Sequence, residues 1–222
     1  GFGVDTADRA FGVSLGAQFI YRLSYGLDVA HDYELSFWNF AVRPYFRAHA
    51  YGQRLRFYVL PEFSPTAARL LTVELTYQPV AAFAIRIGQF LTPFSRTYFT
   101  SSATLQFIDY GLANDVFRAG RDVGAMVFGT PFKGRFEYYA GLFNGNGMNK
   151  PELEPVHLMG VARVAFAPLG FVAYDQTQFL AEPMPLRVSF GVDGFAAKVT
   201  PTRYGTDPTT GMPTTFTDPD RI

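Results

Sequence analysis

The chain has 222 residues, no cysteine, and 19 basic against 19 acidic residues, so its formal net charge is zero. Disulfide frameworks and thiolate metal centres are excluded, and neither bulk charge nor any motif points to nucleic acid. Aromatic residues make up 17% and glycine numbers 21, yet mean hydropathy is close to zero and no apolar run of about 18 residues could form a spanning helix.

The first stretch, GFGVDTADRAFG, shows no export signal and reads as a mature end from which any such signal has been removed. Period-two alternation takes over from there. Over about 10–25, Phe11, Val13, Leu15, Ala17, Phe19 and Tyr21 share one face, while Gly12, Ser14, Gly16, Gln18 and Arg22 share the other. Further strands are expected over about 36–50, 54–63, 69–78, 82–89, 121–129, 134–143, 157–166 and 186–199, nine in all. In 69–78, Leu71, Val73, Leu75 and Tyr77 oppose Thr72, Glu74, Thr76 and Gln78; in 82–89, Phe83, Ile85 and Ile87 oppose Ala84, Arg86 and Gly88.

The connections alternate in character. YGQR, QPVAA and TPFKG are tight turns, whereas GLDVAHDYEL, the segment after Phe90, NGNGMNKPELEP and the tail from Thr200 are long. Ala167–Pro185 is the exception, a long connection where a short one is due. Long strands, apolar residues at every second position and short turns facing long loops describe an all-β transmembrane antiparallel barrel with outer-membrane lipid as its solvent. A soluble sandwich or lipocalin-like barrel alternates too, but its strands are shorter and its polar face carries more lysine.

The polar faces are cationic although the chain is neutral. Arg22, Arg43, Arg47, Arg56, Arg86, Arg135, Arg163 and Arg187 fall on them against Glu74, Glu137 and Asp193. The other acids gather in predicted loops: Asp28, Asp32, Asp109, Asp115, Glu152, Glu154, Asp207, Asp218 and Asp220. A charge on the lipid side costs a few kcal/mol at mid-membrane, about 2–4 for Arg, so these arginines are expected to line water. Guanidinium forks in a water-filled channel attract anions such as phosphate. The competing reading is structural pairing of each Arg with an acid.

The segment of about 90–120 is expected to be irregular, and such length in a compact domain signals function. Its aromatics suit packing against a wall, and its hydroxyls suit a water path. It reads as a loop folded into the lumen to narrow it, through Phe94, Ser95, Arg96, Thr97, Tyr98, Ser101, Ser102, Arg118 and Arg121. An external loop lying over the mouth is the alternative.

Several segments in order resemble the phosphate-selective porin O and P family: GFGVDTADRAFGVSLGAQF, RPYFRAHAYGQRLRFYVLPEF, IRIGQFLTPFS followed by TSS, AGRDVGAMVFG and YYAGLFNGNG. The resemblance implies a sixteen-stranded, usually trimeric barrel that passes anions past arginines, with a constriction from its third loop. Leu91 stands where the family often has a basic residue, and the loop has no lysine, which favours a general anion pore over a tight phosphate site.

Nine strands cannot close a bacterial single-chain barrel, which has an even number. Residues 1–199 are expected to form barrel wall and loop. Residues 200–222 read as an external loop or the start of a remainder, so that a longer polypeptide or partner chains complete the wall. A second function is compatible with this, a barrel anchoring a larger envelope assembly. No enzyme, cofactor or metal site is read: His31, His49 and His157 lack ligand spacing, and no nucleophile elbow appears.

Overall fold

The computed structural model describes residues 1–27, 33–107, 110–117, 119–150, 158–176, 186–197, 202–206 and 213–217. Ten strands form one antiparallel meander in which each pairs with the next: β1 Phe2–Asp5, β2 Gly12–Leu27, β3 Tyr33–Ala50, β4 Leu55–Ser64, β5 Ala67–Val80, β6 Phe83–Leu91, β7 Arg121–Gly129, β8 Phe136–Phe143, β9 Met159–Phe166 and β10 Phe190–Ala197. A separate hairpin joins β11 Thr202–Thr206 to β12 Pro213–Thr217. No helix among the described residues is long and apolar enough to cross a membrane.

Alternation is realised as a two-faced wall. Phe11, just before β2, and Val13, Leu15, Phe19, Tyr21, Leu23 and Tyr25 on it are all exposed. So are Leu75, Ile85, Ile87, Val127, Leu142, Val164 and Val192 on later strands, with Phe19 at 60% and Leu142 at 61% exposure. A contiguous apolar band of this extent is foreign to soluble monomers, whose largest patches are about 300–600 Å². It fits contact with hydrocarbon, where every backbone group must be paired within the wall. The strands do not close on themselves among the described residues; β1 and β10 are the two edges.

Among the described residues the buried apolar cluster is small, and it lies on the other, inner face. Phe90, Met126, Phe143, Met159 and Val161 pack there, with Phe94, Phe128 and Tyr139 against them. Phe90 and Phe143 meet edge to face, centroids 5.3 Å apart.

Three departures from plain alternation matter. Pairing runs Leu60↔Thr72 and then Pro61↔Leu70, leaving Leu71 as a bulge residue. Proline has no N–H to give a ladder, so a bulge is where it is tolerated. Leu71, expected on the lipid side with Val73, is accordingly buried at 7% exposure. Second, the turn before β8 carries positive φ at Phe132, Lys133 and Gly134; β8 therefore begins at Phe136, and Arg135, expected on a strand, sits in the turn. Third, β10 begins at Phe190, which leaves Arg187 outside it. Strand β1 and the hairpin β11–β12 were not expected from alternation, being only four or five residues each.

Candidate functional site

The long segment between β6 and β7 lies on the inner face. It is not irregular throughout, as the sequence suggested: α1 Arg96–Phe99 and α2 Leu112–Phe117 are short helical turns. Its base is fixed by Thr92, which donates its amide and its hydroxyl to the Gly120 carbonyl at 3.1 and 2.8 Å. From there it spans the sheet. On one side the Arg43 guanidinium of β3 donates to the Ser102 hydroxyl at 2.7 Å; on the other, Phe94 meets Phe195 of β10 edge to face at 5.0 Å.

Between this segment and β3–β6 lies a cavity of about 760 Å³, polar on its wall side. Arg43, Arg47, Arg69, Arg86 and Arg121 reach it, together with Glu62 and Glu74 and the tyrosines 45, 58, 98 and 110. The cations divide into two groups. Arg43 donates to Glu62 at 2.6 Å, and Arg69 lies 3.3 Å from the other oxygen of that carboxylate. Arg86 lies 3.3 Å from Glu74 and donates to Thr76 at 3.0 Å. Arg163 pairs with Asp193 away from the cavity.

The second group, Arg47 and Arg121 at the cavity with Arg56 outside its lining, forms no ion pair with an acid among the described residues. Arg47 rests over the rings of Tyr45 and Tyr58, at 4.6 and 5.1 Å. Arg56 donates to the Gln78 side-chain carbonyl at 2.7 Å, and Arg121 to the Thr72 hydroxyl at 2.5 Å. Cation–π and neutral hydrogen-bond partners hold a guanidinium in place without cancelling its charge.

The remaining sequence candidates sit as follows. Arg22 is half-buried on the inner face of β2. Glu137 receives the hydroxyls of Tyr139 and Tyr174, at 3.1 and 2.7 Å, and no arginine among the described residues. Arg187 donates to the Phe171 carbonyl and is exposed. Ser95 donates to Asn114 within the segment, and Arg96 turns away from the cavity to the carbonyls of Val172 and Ala173. Thr97 belongs to α1, while Tyr98, Ser101 and Ser102 face the cavity. Arg118, the side chain of Asp115, and the loop acids at 28, 32, 109, 152, 154, 207, 218 and 220 lie outside the described residues.

Sequence reasoning singled out Tyr98 but passed over Glu62, Arg69 and the tyrosines 45, 58 and 110. Glu62 was legible, since it follows Arg56, Tyr58 and Leu60 at even spacing. Arg69 was not: it is out of phase with Thr72 and Glu74, and only the bulge at Leu71 brings it to their face. Sequence reasoning singled out Ala167–Pro185 by length alone and gave no role to Phe171–Gln176, which leaves the turn end of the wall and reaches α1. Burial pushes the Tyr174 phenol above its ordinary range, and its bond to Glu137 adds to this, so the group stays a neutral donor.

No group of acids and histidines among the described residues could hold a metal ion. The family model described as phosphate-selective porin O and P matches residues 26–179. No curated protein matches the chain.

Proposed function

The chain belongs to the phosphate-selective porin O and P family, and we propose that in the bacterial outer membrane it passes small anions, phosphate among them, through an arginine-lined channel narrowed by the 92–120 segment. The observation carrying this reading is the contrast within one cavity. Arg43, Arg69 and Arg86 have acid partners there, whereas Arg47 and Arg121 form no ion pair among the described residues. These two unpaired guanidinium groups line the cavity, next to hydroxyl groups that can share a solute's hydrogen bonds. An anion meeting such a strip exchanges some of its hydration for fixed donors without being trapped by a closed cage.

The test is planar-bilayer recording of the purified protein under a KCl gradient. A reversal potential on the anion side supports the reading, and one on the cation side discards it. Absence of channels together with stably co-purifying envelope proteins would favour an anchoring role instead.

A further inference from the structure

The narrow part of the lumen is built from two directions. The 92–120 segment leaves the sheet where Leu91 pairs with Arg121. The connection after β9 leaves from the opposite end, where Phe136 pairs with Phe166 and the Ala167 amide donates to the Arg135 carbonyl. They meet on the inner face. Arg96 donates to the carbonyls of Val172 and Ala173 at 3.3 and 2.8 Å, and its guanidinium lies 4.5 Å from the Tyr174 ring centre. The Thr100 hydroxyl donates to the Tyr174 carbonyl at 2.9 Å. The Gln176 amide donates to the Thr104 carbonyl, and the Gln176 side chain accepts the Gln106 amide at 3.0 Å.

Behind this seam, Tyr174 is tied to the wall through Glu137. Phe99 lies between Tyr139 and Tyr174, at 5.3 and 5.6 Å, and Tyr139 stacks on Phe128. The β7–β9 side of the lumen is thus filled with aromatic rings.

We propose that residues 171–176 are a strap that positions the constriction segment from the opposite end of the barrel, so that the width and steadiness of the pore depend on this seam as well as on the segment's own anchors. The argument is one of restraint. α1 has a single turn, its N-terminal flank Ser95 offers no side-chain cap, and no residue within it is buried. Such a turn does not hold its own geometry. Phe99 packs on Tyr139 of the wall and Ser95 bonds to Asn114, but the hydrogen bonds that tie the turn to another part of the chain go to the strap, mostly to its backbone carbonyls.

The proposal rests on the pore reading, and its test separates the two. Thr100→Val with Tyr174→Phe removes two hydrogen bonds without changing any charge. Single-channel recording is expected to give a larger, noisier open current with the reversal potential unchanged, because the arginines are untouched. The chain has no cysteine of its own, so Thr104→Cys with Gln176→Cys, joined by a short bifunctional thiol reagent, restrains the seam covalently. Cross-linking in the double-substituted background should restore the quiet wild-type current. An unaltered current in the first variant overturns the proposal. So does failure of the two thiols to cross-link in membrane-embedded protein, a readout that needs no conduction and stands even if the pore reading fails.

Discussion

The Glu62 carboxylate holds the Arg43 guanidinium at 2.5 Å and, with its other oxygen, lies 3.3 Å from Arg69. One acid, almost wholly buried, thereby stands between two cations on neighbouring strands. Replacing it by glutamine keeps the shape and one acceptor but leaves both guanidinium charges uncompensated. Glu62→Gln is therefore expected to shift the reversal potential in a KCl gradient further toward the anion side. Breaking a fully buried pair costs about 3–5 kcal/mol; here the loss should be smaller, since the Arg69 side chain is 46% exposed and can turn to water. Thermal unfolding in detergent measures that part separately.

How Arg69 comes to share Glu62 shows where sequence reading ends. Faces were legible wherever alternation ran unbroken. Phe11 to Tyr21, Ile85 and Ile87 lie on the exposed face, as period two requires, and the match of the family model is consistent with that two-faced pattern. Alternation cannot announce its own interruption. Nothing in LLTVELTYQ marks Leu71 as an extra residue; the cue is Pro61, on the partner strand. The start of β8 was misread because three successive left-handed residues lengthen the turn. The seam between α1 and Phe171–Gln176 was illegible for a different reason: it joins positions over 70 apart largely through carbonyl oxygens, which every residue type possesses.

The bulge supplies its own test. Deleting Leu71 removes the extra residue, so that Thr72, Leu70 and Arg69 follow in plain alternation and the pairs Pro61↔Leu70 and Glu62↔Arg69 are kept. Arg69 then stays on the inner face beside Glu62, and no arginine is turned to lipid, where one costs about 2–4 kcal/mol at the bilayer midplane. The deletion variant is expected to fold into membranes in near-normal yield, read as the heat-modifiable folded fraction on an electrophoretic gel. The substitution Leu71→Ala keeps the register, removes only packing, and should retain most of that yield.

Arg121 reports whether uncompensated charge sets selectivity. It donates to Thr72 and has no ion pair among the described residues. Arg121→Gln keeps a donor near that hydroxyl and removes the charge. The anion preference is expected to fall. The fall should be largest in dilute KCl, since the screening length shrinks from about 30 Å at 0.01 M to about 3 Å at 1 M. An equal effect at both salt concentrations would instead mean that the substitution narrowed or reshaped the path. Arg163→Gln is the control: its partner Asp193 already balances it, away from the cavity, so selectivity should barely move while folded yield drops.

Gln18 and Phe19 are adjacent in sequence and lie on opposite sides of the wall. Gln18 borders the cavity, and Phe19 stands on the exposed apolar face. An arginine at either position adds the same charge to the same strand, so composition and propensity effects cancel in the comparison. At Gln18 it joins Arg43 and Arg47 in water, and the expected result is normal folded yield with a shift toward anions. At Phe19 it must enter hydrocarbon or snorkel out of it, at a cost of up to about 2–4 kcal/mol. The folded fraction in bilayers should then fall, with selectivity of the surviving channels unchanged. The opposite ranking, with Gln18→Arg failing to fold and Phe19→Arg folding freely, would mean that the apolar face is not the one that meets lipid, and the channel would have to lie on the other side of the sheet.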